Sequence, residues 1–148
     1  MKEIIFNTDL YSFDSFQEFV EEFQLNEDDL IITNEFILAG IMGLNSLKSD
    51  VIYQELYGKG EPSDEMFEAM YTDVVKMRPH KRIIGIGGGT VLDISKLFAL
   101  KYTHPIEQLY DGKLTVEKDK ELILIPTTCG TGSEVTNISI LAFHTRNT

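Results

Sequence analysis

Between Ile83 and Lys96 an apolar run, three consecutive glycines and an apolar pattern of helical period follow without a break. The segment reads Ile83-Ile84-Gly85-Ile86-Gly87-Gly88-Gly89-Thr90-Val91-Leu92-Asp93-Ile94-Ser95-Lys96. An uninterrupted apolar run suits a strand covered on both faces, which is the situation of a parallel sheet flanked by helices. Val91, Ile94, Leu97 and Phe98 then predict a helix from Gly89 to Tyr102 with those side chains inward. Glycines at such a junction let the backbone turn sharply and approach a ligand closely. The helix start presents N–H groups and a partial positive charge to an anion.

The rest of the chain repeats this alternation. Ile4–Phe6 predicts a short first strand. Phe13, Phe16, Phe19, Val20 and Phe23 recur at helical spacing behind a capping box of Ser15 and Glu18. Leu30-Ile31-Ile32 predicts a buried strand closed by Thr33-Asn34. Phe36 to Leu47 predicts a helix weakened by Gly40 and Gly43. Val51 to Leu56 predicts a third strand, followed by the loop Gly58–Pro62. Ser63 is a good N-cap, with Asp64 and Glu65 in the positive first turn. Phe67, Met70, Val74 and Met77 give that helix its inner stripe. His104 to Lys120 is a polar connector, Leu122–Ile125 a further buried strand ended by Pro126, Thr127–Ser133 a loop, and Asn137–Phe143 a last strand.

Strands alternating with helices define an α/β protein with a mostly parallel sheet and helices on both faces. Its 148 residues fit one domain. Sheets of this kind take ligands beyond the carboxyl ends of their strands. That rule singles out Thr33-Asn34, Gly87–Thr90 and Thr127–Ser133.

Charge narrows the ligand. Against 13 Lys and Arg stand 24 Asp and Glu, a formal net charge of −11. A nucleic-acid surface needs clustered cations to displace counterions, and the longest basic cluster is Pro79-His80-Lys81-Arg82. Nucleic acid and anionic membranes are therefore not expected as partners. A small phosphate ester remains, because main-chain amides hold phosphate without cationic side chains. No apolar run approaches membrane-spanning length and no secretory signal opens the chain, so a cytoplasmic location is expected. The single cysteine, Cys129, has no cationic neighbour to lower its pKa and reads as a small residue filling a tight loop. His80, His104 and His144 lack metal-ligand spacing and read as surface histidines.

The glycine segment is neither G-x-G-x-x-G, since Thr90 stands at the third glycine, nor a P-loop. The bland alternative is a strand-to-helix turn that holds nothing. A second segment argues against that alternative. Pro126-Thr127-Thr128-Cys129-Gly130-Thr131-Gly132-Ser133-Glu134-Val135-Thr136 also follows a buried strand and is rich in hydroxyls and glycines.

Together the two segments resemble the Gly-Gly-Gly-Ser-x-x-Asp-x-Ala-Lys and Pro-Thr-Thr-Ala-Gly-Thr-Gly-Ser-Glu-Val-Thr motifs of iron-containing (group III) alcohol dehydrogenases, in order and separation as well as in residues. Within that family, the segments around Thr33-Asn34-Glu35-Phe36, Lys59–Glu65 and Cys129–Asn137 look most like 4-hydroxybutyrate dehydrogenases. Glycerol dehydrogenases and dehydroquinate synthases share the glycine turn but not the Thr127–Thr136 segment. The resemblance implies a Rossmann-like dinucleotide-binding domain over 1–148, corresponding to well under half of a family member.

It also implies roles for particular residues. Gly87, Gly88, Gly89 and Thr90 would hold the pyrophosphate of NAD. Thr127, Thr128 and Thr131 would contact its nucleotide portion and phosphates, and Ser133 and Val135 would lie towards the nicotinamide. Asp93 would sit near the same site, though an acid early in a helix is also favoured by the dipole alone. Thr90 keeps the hydroxyl of the family's Ser, and Ser95 replaces its Ala. Asn34 stands where many relatives carry an Asp that reads the adenosine ribose. NADP is thereby left open beside NAD, unless adjacent Glu35 restores the discrimination. The resemblance further implies a divalent metal, Fe2+ or Zn2+, held in the full-length protein by one Asp and three His of a helical second domain. A small alcohol or aldehyde would be the substrate and a homo-oligomer the assembly. A module that binds nucleotide, or another protein, without catalysis is the alternative.

On this reading the last strand forms an open sheet edge, and apolar helix faces are exposed. The 148-residue chain itself is expected to bind dinucleotide without oxidising alcohols. Metal-dependent turnover by the purified chain would overturn that expectation.

Overall fold

The structure, a computed structural model, describes residues 6–13, 15–42, 47–59, 63–100, 120–127 and 138–145. Six strands form one sheet. They are β1 (Phe6–Phe13), β2 (Asp29–Thr33), β3 (Asp50–Tyr53), β4 (Arg82–Gly87), β5 (Glu121–Pro126) and β6 (Ile138–Thr145). Four helices accompany them: α1 (Phe16–Phe23), α2 (Glu35–Met42), α3 (Asp64–Val74) and α4 (Gly89–Phe98). A 3-10 turn, Gln54–Tyr57, follows β3.

The strand order is β1-β6-β5-β4-β2-β3. From β3 to β5 the pairs are parallel, while β6 runs antiparallel to both β5 and β1. The α/β architecture with a mostly parallel sheet is thus as the alternating pattern implies. Each buried run alternates its side chains between two covers. Leu30, Ile32, Ile83, Leu122 and Leu124 pack with Phe67, Met70, Val91, Ile94 and Phe98 of α3 and α4. Ile31, Ile84, Ile86, Ile123 and Ile125 pack with Phe16, Phe19 and Ile37 of α1 and α2 on the other face. Apolar residues on both faces explain why these strands read as continuous runs.

Local signals account for the helix starts. Ser63 is extended and its hydroxyl accepts from the Met66 amide at 3.1 Å, as expected of an N-cap. Ser15 does the same for Glu18 at 3.2 Å. Three expectations need correction. Phe13 belongs to β1, not to a helix, and β1 has eight residues rather than a few. Phe13 nevertheless stacks edge-on against Phe19 and Phe23 of α1, so its place in the core was legible and its element was not. The last strand is not a sheet edge: β6 is enclosed, paired from Phe6↔Thr145 to Phe13↔Ile138 by a returning N-terminal segment. His80 is not at the surface. It is 7% exposed and its Nε2 lies 2.7 Å from Asp50 Oδ2. Helix α4 also ends earlier than expected, at Phe98, and α2 is described as far as Met42, with 43–46 outside the described residues. Most of the connector His104–Lys120, with His104, lies outside the described residues, as do the side chain of His144 and Cys129.

Ion pairs tie the amino ends of the strands. Arg82 at the start of β4 grips Asp29 at the start of β2 through a fork, Nε–Oδ1 2.7 Å and Nη2–Oδ2 2.9 Å. It also donates to Phe23 O at 2.9 Å and lies over the Phe23 ring. Asp29 is 2% exposed. Removing one partner of a buried pair leaves the other charge stranded. Arg82→Met is therefore expected to cost about 3–5 kcal/mol of stability, and the double change with Asp29→Leu to recover part of that loss. Equilibrium denaturation of both variants checks this.

Candidate functional site at the carboxyl ends of the strands

The chain crosses from β2 to β3 in one direction and from β3 over β2 to β4 and β5 in the other. The strand order therefore reverses between β2 and β4, with α2 on one face and α4 on the other. Such a reversal opens a crevice at the carboxyl ends of the two strands. Thr33 closes its floor: the buried hydroxyl donates to Ile86 O at 2.7 Å across the pair.

Helix α4 lies directly on β4. A Cβ added to Gly85 would stand 2.7 Å from Ser95 Cβ, closer than any real contact of that kind. Ser95 is fully buried, and its hydroxyl is turned back to Val91 O at 2.7 Å. A small residue at position 95 thus follows from the close approach, and serine satisfies it without an orphaned hydroxyl. At Gly87 the backbone has φ +157, and a Cβ would meet Val91 Cβ at 3.1 Å. Gly88 and Gly89 differ in kind: among the described residues, a Cβ on either would meet nothing within 4 Å. No described residue packs where their side chains would be.

Gly88 is the N-cap of α4 and contributes no side-chain bond. The first bond of the helix runs from Leu92 N to Gly88 O, 3.0 Å. The amides ahead of it point along the helix axis toward the crevice. Thr90 places its hydroxyl in this first turn. Asp93 sits farther along, on the exposed side, where Lys96 Nζ approaches its Oδ1 at 3.4 Å. The second segment begins beside the first. Gly87 is in register with Pro126, and Thr127 N donates to Gly87 O at 3.0 Å. Thr128, Thr131, Ser133 and Val135 lie outside the described residues.

Asn34, just past β2, is drawn into a second cluster. Its Nδ2 donates to Gln54 Oε1 at 3.3 Å and to Glu55 Oε1 at 3.1 Å. Glu55 Oε2 accepts from the backbone N–H of Glu35 at 2.9 Å. Partial burial works against the Glu55 charge, but the Glu35 amide, its own amide and Asn34 together hold the carboxyl below its usual range. The carboxylate that meets Asn34 is thus Glu55, which the expected extension of β3 to Leu56 concealed. The Gln54-Glu55 pair at a strand's carboxyl end was its only sequence signal. Glu35 offers this cluster its main chain.

Among the described residues, no three His, Cys, Asp or Glu side chains gather as a metal site. No described helix is long and apolar enough to cross a membrane.

A doubly wound α/β sheet with a glycine turn at its point of reversal defines the class. The chain belongs to the iron-containing alcohol dehydrogenase family, which it matches over residues 2–148. It is 44% identical over its whole length to a 4-hydroxybutyrate dehydrogenase of Clostridium kluyveri, of which it spans 40%. A sulfoacetaldehyde reductase of Bilophila wadsworthia is 37% identical over 100 residues, 66% of this chain and 26% of the relative. A solved structure, the NADH-dependent butanol dehydrogenase A of Thermotoga maritima, overlaps 75% of this chain and 33% of its own, with 15% identity and a TM-score of 0.49. The family likeness inferred from the two motifs is borne out.

The 3-10 turn that carries Glu55 is anchored by Tyr57, whose hydroxyl donates to Asp73 of α3 at 2.5 Å. Burial, that bond and the Asp73 charge push the phenol up from 10.0 to about 12. A raised phenol pKa means that the folded state keeps a proton the unfolded chain releases. The contribution of Tyr57 is then complete below about pH 10 and lost as pH rises towards about 12. A phenolate absorbance titration should show one tyrosine ionising late, and Tyr57→Phe should remove it.

Proposed function

We propose that residues 1–148 are the dinucleotide-binding domain of a metal-dependent alcohol dehydrogenase. The reaction is the interconversion of a primary alcohol and an aldehyde, with 4-hydroxybutyrate and succinate semialdehyde as the pair. One observation carries the coenzyme part of this reading: among the described residues, nothing lies within 4 Å of a Cβ built on Gly88 or Gly89 at the start of α4, where a packing turn would have tolerated side chains. An anion seated there meets main-chain amides and the positive end of the helix, with no lysine or arginine required. The substrate pair is supported by the identity to the Clostridium kluyveri enzyme over all 148 residues.

Each residue then has work to do toward NAD. Gly87 makes the turn, Gly88 and Gly89 admit the pyrophosphate, and the Thr90 hydroxyl supplements the amides. By the family resemblance, Thr127, Thr128 and Thr131 would contact the nucleotide portion and phosphates, Ser133 and Val135 would serve the nicotinamide, and Asn34 the adenosine ribose. Asp93, one turn into α4 and exposed beside this site, is in this proposal a further contact of the coenzyme. The bound nicotinamide supplies the hydride chemistry. In this proposal a divalent metal, Fe2+ or Zn2+, would be held by a helical second domain of the full-length protein and would supply Lewis-acid polarisation of the substrate oxygen there. A cytoplasmic homo-oligomer acting on small molecules completes the proposal.

Titration of the chain with NADH tests it directly. Saturable binding is expected, with a rise in melting temperature that grows with ligand concentration. The double variant Gly88→Ala/Gly89→Ala should melt within a few degrees of the wild type and bind NADH about tenfold more weakly or worse. Wild-type affinity in that variant would remove the glycine turn from the site.

A further inference from the structure

We infer that Glu55 is the coenzyme-selecting residue: with Asn34 it accepts the hydroxyls of the adenosine ribose and turns away a ribose that carries a phosphate. The inference rests on the dinucleotide reading above and adds to it the choice between NAD and NADP.

Position comes first. Adjacent strands lie about 4.8 Å apart. Glu55 follows β3, which pairs with β2, which pairs with β4. It therefore stands two strands, about 10 Å, from the glycine turn along the same sheet end. A coenzyme whose pyrophosphate lies on Gly88 and Gly89 can extend its adenosine across β2 to this corner.

Chemistry comes second. The amide nitrogen of Asn34 has two hydrogens, and both are used, on Gln54 Oε1 and Glu55 Oε1. The atom it retains for a ligand is its carbonyl oxygen. Glu55 contributes a carboxylate, fixed at the other oxygen by the Glu35 amide. The corner therefore offers acceptors. Ribose hydroxyls can donate to them, whereas a phosphate brings only acceptors and negative charge of its own. The bonds from Glu35 and Asn34 keep the carboxyl ionised at neutral pH. An Asn in place of an Asp at position 34 then loses no discrimination, because the charge is delivered from the neighbouring strand.

The surroundings agree. The turn carrying Glu55 is not free to swing: Gln54 is buried and bonded to Gly58 O at 3.0 Å, and Tyr57 is tied to Asp73. Phe36 and Leu56, 66% and 73% exposed, follow Glu35 and Glu55 directly. They supply apolar surface at the same corner, suited to a purine ring.

The test compares NADH and NADPH affinities of the full chain by nicotinamide fluorescence at one ionic strength. The wild type should prefer NADH by about tenfold or more, from repulsion of a doubly charged phosphate by a nearby carboxylate. Glu55→Gln keeps the shape and can still accept from the Glu35 amide through its one oxygen, giving up the bond from Asn34 Nδ2, so folding should survive, as a melting curve will verify. It should bring the two affinities within about threefold, mainly by tightening NADPH. Glu55→Lys should reverse the preference. Equal loss of both coenzymes in Glu55→Gln, an unchanged ratio, or a wild type that prefers NADPH would overturn the inference and leave the dinucleotide site standing. A wild-type chain that binds neither coenzyme would remove both.

Discussion

The contact between Gly85 of β4 and Ser95 of α4 governs the geometry of everything at the sheet end. With no side chain at position 85 and a small one at position 95, the helix axis drops onto the strand. A strand and a helix this close must be joined by a very tight turn, and Gly87 supplies it. The start of α4 is thereby aimed across the tips of β4 and β2 rather than away from the sheet. Thr33 and Thr127 brace the same turn from either side, through Ile86 O and Gly87 O. A larger residue at position 85 would lift α4 and swing its first turn off the crevice. The anion-binding role proposed for the turn would in this sense be a consequence of packing.

Such an arrangement resolves an apparent conflict in the composition. A chain of net charge −11 is a poor general host for a diphosphate. Long-range repulsion is screened within about 10 Å at ordinary ionic strength. What matters is the local field, and a helix start supplies a positive one from the main chain. On the proposed reading the acidic surface would act as a filter, tolerating a ligand held at one oriented amide cluster and disfavouring polyanions that need many cationic contacts.

Much of this was legible from residues alone, for identifiable reasons. Buried parallel strands write themselves as apolar runs, caps as Ser63 and Ser15, and the ligand turn as three glycines. What was hidden is what depends on pairing across distant segments. Phe13 precedes Phe16 by three residues, a helical interval, yet β1 gains its order from eight partners in β6. No local pattern announces a partner more than a hundred residues away. The same holds for β6, whose supposed open edge is closed by β1. His80 was hidden because the carboxylate that buries it, Asp50, lies thirty residues upstream. Glu55 was hidden by one misjudged boundary: a strand continued to Leu56 would alternate faces, whereas the 3-10 turn after Tyr53 presents Glu55 to Asn34 and Glu35. The Thr127–Thr136 segment was the most specific feature of the sequence. Of it, only Thr127 has a place in the described structure, bonded to Gly87.

The two ends of the sheet divide the labour. At the amino ends, polar side chains are paired and fixed: Arg82 with Asp29, His80 and Arg78 with Asp50, Arg78 with Glu27. These ties register β2, β3 and β4 against one another. At the carboxyl ends the sheet offers amides, hydroxyls and space. Asn34 and Glu55 stand apart from that pattern, since theirs is a polar pairing at the ligand end. Burial commits Arg82 and Asp29 to each other, because removing either would strand a charge away from water. Glu55 is exposed and Asn34 half-buried, so their pairing remains open to solvent, as the coenzyme-selecting role inferred for Glu55 requires.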